Sequence, residues 1–244
     1  EDFIDSYRQD YLAEKMIRKQ KQQAVSESVV ELENYRLKPN KMQVAFVKNV
    51  MEMRAHRIDR ALLLSSTGTG KSLASAFMLR EMGTRRALFV VHREQIAKQT
   101  LKSYKRVFGS SRSYGLLSGN SRDFDADFLF ATMQMISKEE IMSRYAPGDF
   151  DVIILDECHH AGAESYQKIM RYFKPKFWLG MTASPDTNQY DIYSIFDHHI
   201  AYEIRLQQAL EEDLLCPFHY FGITDLEIDG KVFDDNAGVK NFSN

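Results

Sequence analysis

A short loop rich in small residues, Ser65–Ser72, has the composition of a phosphate-binding site. It follows an apolar stretch typical of a strand and precedes a helical pattern, so its backbone N–H groups can point inward with the positive end of the helix behind them. Lys71 can reach the β- and γ-phosphates of a nucleotide, and the Ser72 hydroxyl can bind Mg²⁺. Ser65 stands where the usual pattern has glycine, so a flexible turn that merely precedes a lysine remains the alternative. The other candidate nucleotide-binding residues of the loop are Thr67, Gly68, Thr69 and Gly70.

Two adjacent acids, Asp156 and Glu157, form the second group that could carry chemistry. They follow four apolar residues, 152–155, which predicts a buried strand that brings both carboxylates to its carboxyl end. In phosphoryl-transfer sites such an Asp holds Mg²⁺, and the neighbouring Glu orients or deprotonates the attacking water. An acidic pair after one strand is a weak signal alone. Together with the upstream phosphate loop it predicts a site for nucleotide hydrolysis.

The elements that must position these residues alternate along the chain. Strands are predicted at 61–65, 87–91, 115–117, 127–131, 151–155 and 177–181, with helices near 71–82, 93–107, 133–144 and 163–172. Nearly continuous apolar strands separated by helices predict an α/β fold, a mainly parallel sheet with helices on both faces. Ligands of such sheets bind at the carboxyl ends of the strands, where the loop and the acids would both lie.

The flanks of this alternating region differ from it. Residues 1–37 lack Gly and Pro and repeat apolar side chains at helical spacing, which predicts a helical N-terminal arm or connector. A break at Lys38–Asn40 precedes a further helix from Met42 to about Arg54. We assign 38–204 to the α/β domain and 205–244 to a linker and the start of another domain. Since the chain begins without Met, we expect it to be part of a longer protein.

Composition narrows the class of protein. With 44% hydrophobic residues, the 244-residue chain can bury a large core, and it has no apolar run long enough to span a membrane. The first residues do not resemble a signal peptide, and two cysteines suit a reducing compartment, so a cytoplasmic location is expected. Residues 61–110 hold nine basic and two acidic side chains despite a net charge of −2, so a polyanionic partner or a solvated helix face could explain them.

Several stretches resemble the motifs of superfamily 2 helicases of the DEAD/DEAH-box group. Asp156–His159 resembles motif II, with Cys158 in its variable third place. Ser66–Ser72 is similar to motif I, Phe89–Gln95 to motif Ia, Ala131–Gln134 to motif Ic and Thr182–Pro185 to motif III. They occur in the order and at the spacing of the family. The runs His159–Ala161 and Phe177–Pro185 most resemble the restriction-enzyme res-subunit (type III) ATPase group.

The resemblance implies a first RecA-like motor domain that uses ATP and Mg²⁺. Lys71 and Ser72 would bind the triphosphate and the metal, Asp156 would bind the metal, and Glu157 would activate water. Gln43 resembles the glutamine that reads adenine, although glutamine on a helix face also occurs without such a role. Cys158 is expected to be a small buried residue. A zinc site is not expected, because Cys158 and the two following histidines are adjacent and no second Cys/His pair has zinc-ligand spacing.

The resemblance also implies a nucleic-acid partner, DNA rather than RNA, and no membrane partner. His159, Thr182 and Ser184 would couple the nucleotide state to the nucleic acid. Contacts to the nucleic-acid backbone are implied for His92, Arg93, Thr132 and Gln134. Backbone contacts fix position without reading sequence, so little base specificity is expected.

The function implied is an ATP-dependent helicase or translocase, similar to those of restriction enzymes. Its ATP site would be completed by a second RecA-like domain of the same protein, which is absent from this chain and which donates an arginine finger. The chain alone is therefore expected to hydrolyse ATP slowly. Two alternatives remain: a nucleotide-gated module that senses nucleic acid without unwinding it, and a P-loop kinase.

Overall fold

The computed structural model describes residues 37–66, 68–161, 163–183 and 191–204, together with two short strands further on. Its helices are α1 (Lys41–Ala55), α2 (Lys71–Glu81), α3 (Glu94–Phe108), α4 (Met133–Ile136), α5 (Glu139–Met142), α6 (Glu164–Tyr172) and α7 (Ile192–Ile195), with a 3₁₀ turn at Cys158–His160. Its strands are β1 (Arg60–Ser65), β2 (Ala87–Val91), β3 (Tyr114–Leu117), β4 (Phe128–Thr132), β5 (Val152–Asp156), β6 (Phe177–Thr182) and β7 (Ile200–Ile204). The strands β8 (Glu227–Ile228) and β9 (Lys231–Val232) form an antiparallel pair.

Strands β1–β7 form one sheet in the order β3-β4-β2-β5-β6-β1-β7, and every neighbouring pair is parallel. The predicted α/β fold with a parallel sheet is confirmed. The extended stretch predicted at 200–204 is the edge strand β7, which pairs with β1 from Leu62 onward. As an edge strand it is only partly covered, with Ala201 and Ile204 buried and Glu203 exposed.

Helices cover both faces of the sheet because its central strands are apolar at nearly every position before their carboxyl ends. Leu63 of β1 packs with α1, α2 and α3 on the first face, where Phe46 is fully buried. Leu62 packs on the second face with α4, α5, α6 and α7, where Phe196 is fully buried beside them. Burial on both faces accounts for the near-continuous apolar runs in the sequence.

The prediction of a single helix at 133–144 is wrong in one respect, because this region forms two short helices, α4 and α5. Lys138 is extended, with φ −69° and ψ 131°, and it begins the second helix. The buried apolar residues of the two helices are Met133, Met135, Ile136, Ile141 and Met142. On one straight helix these side chains would point around the whole circumference, so the break is what lets all of them face the core.

The predicted domain boundaries at 37/38 and 204/205 stay a prediction. The predicted arm lies outside the described residues except for Leu37, and so does the segment 205–244 except for β8 and β9. Within the part of the chain that the structure describes, no helix combines the length and the hydropathy needed to cross a bilayer.

Candidate active site

The carboxyl edge of the sheet collects the ends of the strands that carry the predicted site residues. Strand β1 ends at Ser65 and leads into the loop, and β5 ends at Asp156. Strand β6 lies between them, with Thr182 opposite Leu64 of β1 and Met181 opposite Asp156. The register therefore places the loop, the acids and Thr182 at the same edge.

The loop after β1 is shaped by two glycines. Gly68 and Gly70 have φ values of 88° and 92°, in the left-handed region that glycine adopts without a Cβ clash. Helix α2 begins directly at Lys71. This is the strand–loop–helix arrangement that the sequence predicted for a phosphate site, with the helix N-terminus behind the loop. Thr67, also predicted to bind nucleotide, lies outside the described residues.

Ser65, which departs from the usual glycine, holds the loop from inside. Its hydroxyl lies 2.5 Å from the Thr69 hydroxyl, which itself donates to the Ser66 carbonyl at 2.8 Å. Since the Thr69 proton is used in that bond, Ser65 is the donor to Thr69. Both hydroxyls are therefore satisfied although Ser65 and Thr69 are buried. Serine in place of the usual glycine at position 65 therefore gives the loop an internal hydrogen bond.

Lys71 lies between the loop and the two acids. Its ammonium donates to the Ser65 carbonyl at 2.7 Å and to the Ser66 carbonyl at 3.2 Å. Burial lowers the pKa of Lys71, and the charges of Glu157 and Asp156 oppose that shift. The lysine and the acids, far apart in sequence, thus act on one another electrostatically.

Asp156 is almost completely buried, with 9% of its surface exposed. Burial and the neighbouring Glu157 raise the pKa of Asp156 to about 6, while Lys71 acts in the opposite direction. A carboxylate in this position is stabilised by a further cation, and oxygen donors such as a carboxylate and a serine hydroxyl are the ligands that Mg²⁺ takes. Asp156 and Ser72 therefore fit the predicted metal site by their chemistry.

Glu157 turns the chain sharply after β5. Its φ of 50° and ψ of 48° are in the left-handed region, which is uncommon for a residue with a side chain. Its carboxylate Oε2 lies 3.2 Å from His159 Nδ1, and the same nitrogen lies 3.0 Å from the Thr182 hydroxyl. His159 therefore connects Glu157, directly after β5, to Thr182 at the end of β6. The predicted coupling residues His159 and Thr182 are in contact, and Ser184 lies outside the described residues.

Gln43 lies against the loop, where it is 4% exposed. Its side-chain Nε2 donates to the Gly70 carbonyl at 3.2 Å, and its Oε1 accepts from the Asn40 N–H at 3.0 Å. The Asn40 side chain in turn accepts from the Gln43 N–H at 2.8 Å, which completes a capping box at the start of α1. Sequence reasoning missed Asn40, although an Asn followed three residues later by Gln is a signal for this cap.

The four residues predicted to contact nucleic acid lie at two neighbouring strand ends. His92 and Arg93 are exposed where β2 leads into α3, and Gln134 is exposed on α4. Thr132 ends β4 opposite Val91 of β2, but it is only 7% exposed. Three of the four side chains are therefore available at the surface in this structure.

Cys158, the residue after the acids, is fully buried, which confirms the prediction of a small buried residue. Burial raises the pKa of its thiol, which the charge of Asp156 also raises. The thiol therefore stays protonated and acts as a small packing residue rather than as a nucleophile.

A family model described as type III restriction enzyme, res subunit, matches residues 36–187. The chain belongs to this family. The resemblance found in the sequence, to superfamily 2 helicases and to their res-subunit group in particular, is confirmed. The match covers the loop, the acids and the residues that connect them.

The res-subunit domain has relatives that are much longer than itself. It is 26% identical over 204 residues to the type I restriction enzyme EcoAI endonuclease subunit of Escherichia coli, covering 78% of this chain and 25% of the relative. It is 22% identical over 193 residues to the putative ATP-dependent helicase IRC3 of Saccharomyces cerevisiae, covering 72% and 27%. The chain thus spans about a quarter of the length of these relatives.

Solved structures share the fold of the res-subunit domain. The UvsW helicase from bacteriophage T4 superposes with a TM-score of 0.56 at 22% identity, covering 72% of this chain and 64% of that one. The nuclease-deletion mutant of the type ISP restriction-modification enzyme LlaGI gives a TM-score of 0.58 at 20% identity, covering 73% and 21%. The predicted RecA-like fold is therefore confirmed.

Proposed function

We propose that this res-subunit domain is the ATP-binding part of a motor that hydrolyses ATP and couples hydrolysis to movement on DNA. The observation that carries the proposal is the meeting of Lys71, Asp156 and Glu157 at the carboxyl edge of the sheet, with His159 joining Glu157 to Thr182. A loop lysine beside paired acids is the arrangement that phosphoryl transfer needs. His159 connects the proposed catalytic Glu157 to Thr182 on the neighbouring strand β6. This connection supports a motor, in which hydrolysis is coupled to movement, over a simple kinase.

In this proposal the loop binds the triphosphate. The N–H groups of Gly68–Gly70 and the N-terminus of α2 face the phosphates, and the Lys71 ammonium exchanges the Ser65 and Ser66 carbonyls for phosphate oxygens. Gln43 contributes by holding the Gly70 carbonyl and by reading adenine at the start of α1. Thr67, in the same loop, is proposed to bind the phosphates as well.

Ser72 and Asp156 would hold Mg²⁺, which when bound offsets the charge of the phosphates during transfer. The raised pKa of Asp156 is consistent with this role, since a nearby dication favours the ionised carboxylate. Glu157 is proposed to orient the attacking water and to accept its proton. Its side chain is 32% exposed and lies 3.2 Å from His159 Nδ1, so it is more accessible to water than the buried Asp156.

DNA is the proposed nucleic-acid partner. The structural neighbour LlaGI is described in complex with a DNA substrate mimic, and the enzyme LlaBIII, which shares the fold with a TM-score of 0.55, is described as bound to DNA. His92, Arg93 and Gln134, together with Thr132, would contact the backbone at the ends of β2 and β4. His159, Thr182 and Ser184 would report the nucleotide state to this edge.

The proposed ATP site is completed by a second RecA-like domain elsewhere in the full-length protein. The relatives are about four times as long as the matched region, which leaves room for such a domain. That domain would supply an arginine finger to the transferred phosphate, a cation that the first domain lacks in helicases of this superfamily. A cytoplasmic location belongs to the same proposal.

The test is Glu157→Gln in the full-length protein. We expect the ATPase rate to fall about 100-fold or more, because the general base is lost, while ATP still binds. Phosphate release and titration with a fluorescent ATP analogue measure the two quantities. Glu164→Gln is the matched control, since Glu164 is an exposed acid at the start of α6. The same chemical change there should leave the ATPase rate and the affinity for ATP unchanged.

Other outcomes would identify a different function. Hydrolysis that survives Glu157→Gln would show that this residue is not the base. A wild-type protein whose ATPase rate responds to DNA but which fails to displace a triplex strand would be the nucleotide-gated sensor. Transfer of the γ-phosphate to an acceptor other than water would identify a kinase. Stimulation by RNA and not by DNA would reverse the assignment of the partner, and one relative is in fact named a putative RNA helicase.

A further inference from the structure

One buried tyrosine connects the nucleotide loop to the strands at the nucleic-acid edge. Tyr104, on α3, is 1% exposed, and its hydroxyl lies 2.8 Å from the Ser75 hydroxyl of α2. Ser75 donates its only proton to the Ser72 carbonyl at 2.9 Å. Tyr104 is therefore the donor in the bond with Ser75, and the pair is linked to the first turn of α2.

The ring of Tyr104 is held by two strands. It packs edge to face on Phe89 of β2, with ring centroids 5.9 Å apart, and on Phe130 of β4, at 5.1 Å. Strand β2 ends directly before His92 and β4 ends at Thr132, and both residues are proposed to contact nucleic acid. One side chain thus touches the helix that carries the phosphate-binding residues and both strands that carry the proposed nucleic-acid residues.

We propose that Tyr104 is a positioning residue that transmits the state of the nucleotide loop to the nucleic-acid edge. The inference rests on the proposed function, because it assigns a regulatory route to that same site. Nucleotide binding at Lys71 and Ser72 shifts the first turn of α2, and the Tyr104–Ser75 bond carries the shift to α3. Separating the two hydroxyls would leave the buried Tyr104 hydroxyl without an acceptor, so the helices move together.

Helix α3 is suited to deliver such a shift. It begins at Glu94, immediately after Arg93, which is one of the proposed backbone contacts. Movement of α3 therefore moves Arg93 at its N-terminal end. Burial raises the pKa of Tyr104, and the charge of Asp156 acts in the same direction, so the hydroxyl remains a donor throughout the neutral range.

The competing explanation is that the hydroxyl pair only satisfies two buried polar groups. That role predicts a loss of stability and nothing else when the bond is removed. Coupling predicts a change in how ATP hydrolysis responds to DNA, with ATP binding left intact. The two explanations therefore differ in a measurement other than stability.

The experiment uses the full-length protein with Tyr104→Phe, Ser75→Ala and both together. ATPase rates with and without duplex DNA, the Kd of a fluorescent ATP analogue and the melting temperature are measured for each. We expect the ratio of DNA-stimulated to basal rate to fall about fivefold or more, with the basal rate and Kd unchanged. The double variant should be no worse than either single one, since both remove the same bond.

Tyr145→Phe is the matched control. Tyr145 is 4% exposed on the other face of the sheet, and its hydroxyl donates to the Phe124 carbonyl at 3.0 Å. It should lower the melting temperature as Tyr104→Phe does but leave the DNA response unchanged.

Two results would overturn the inference. If the wild type responds to DNA and both Tyr104→Phe and Ser75→Ala respond equally well, the route is wrong and the proposed function stands. If the folded wild type does not respond to DNA or RNA, the proposed function and the inference fail together. Ser75→Ala decides the matter should Tyr104→Phe not fold, since alanine is favourable within a helix.

Discussion

At the scale of single residues, Gly70 is where the loop, α2 and Gln43 meet. Its φ of 92° lies in the left-handed region, and a Cβ there would come within 2.8 Å of Gln43 Nε2. The same nitrogen donates to the Gly70 carbonyl. A side chain at this position therefore strains the backbone and displaces the residue proposed to read adenine.

Gly70→Ala is expected to weaken ATP binding at least about tenfold, equivalent to ~1.4 kcal/mol, because the loop and Gln43 must both move. The left-handed backbone itself adds a stability cost of ~1–2 kcal/mol. Titration with a fluorescent ATP analogue and thermal melting measure these effects. Gly148→Ala is the control, since an added Cβ there meets no atom within 4 Å. Equal ATP affinity in the two variants would show that the loop geometry is not needed for binding.

The sequence alone predicts which residues could carry chemistry, but it does not predict which side chains contact one another. Lys71, Asp156 and Glu157 were predicted because their types and the strands before them define a phosphate site. The Ser65 hydroxyl bond and the bridge from His159 to Thr182 were not predicted as contacts. Both depend on where a loop turns and on which strands are neighbours, and neither is encoded by local periodicity.

At the scale of elements, the start of α1 links helix capping to the nucleotide site. The capping box between Asn40 and Gln43 satisfies the first N–H groups of the helix and also fixes the Gln43 side chain, which bonds the Gly70 carbonyl. One cap therefore serves both the stability of α1 and the geometry of the loop.

Asn40→Ala is expected to destabilise the domain by ~1 kcal/mol through loss of the cap. It should also weaken ATP binding about fivefold, because the Gln43 N–H loses its acceptor and the first turn of α1, which holds the Gln43 side chain against the loop, is loosened. Asp191→Ala is a matched control: Asp191 caps α7 by accepting from the N–H groups of Tyr193 and Ser194, and α7 packs on the opposite face of the sheet from α1. Chemical denaturation and nucleotide titration separate the two effects. An Asn40→Ala variant that is less stable but binds ATP normally would show that the cap contributes to folding and not to nucleotide binding.

The sheet was predictable because its central strands are apolar on both faces and are separated by amphipathic helices. The edge strand β7 is harder to predict, since it is only partly buried, and the sequence indicates no more than an extended stretch. The break between α4 and α5 was not predicted, because it responds to the shape of the core around Met135 and Ile141. The contact of Tyr104 with Ser75 likewise requires the packing of two helices to be known.

At the scale of the whole molecule, the domain gathers its proposed chemistry on one edge of the sheet. That edge contains the glycine loop, the acids, Thr182 and the ends of β2 and β4. The helices pack on the two faces of the sheet and support these residues. A second RecA-like domain in the full-length protein would close over this edge. The arrangement predicts that binding and hydrolysis of ATP can be separated by removing that domain.

The 244-residue chain alone is expected to bind Mg-ATP yet to hydrolyse it about 10³-fold or more slowly than the full-length protein with DNA, because the arginine finger is proposed to come from a second RecA-like domain of the full-length protein. Both proteins are compared at equal concentration in phosphate-release and nucleotide-binding assays. Lys71→Ala in each defines the background from contaminating ATPases. Slow hydrolysis with intact ATP binding would indicate that a group needed for hydrolysis, such as the proposed arginine finger, comes from another part of the full-length protein. Rapid hydrolysis that responds to DNA in the 244-residue chain, and that is lost on Lys71→Ala, would instead show that this domain holds every group the reaction needs.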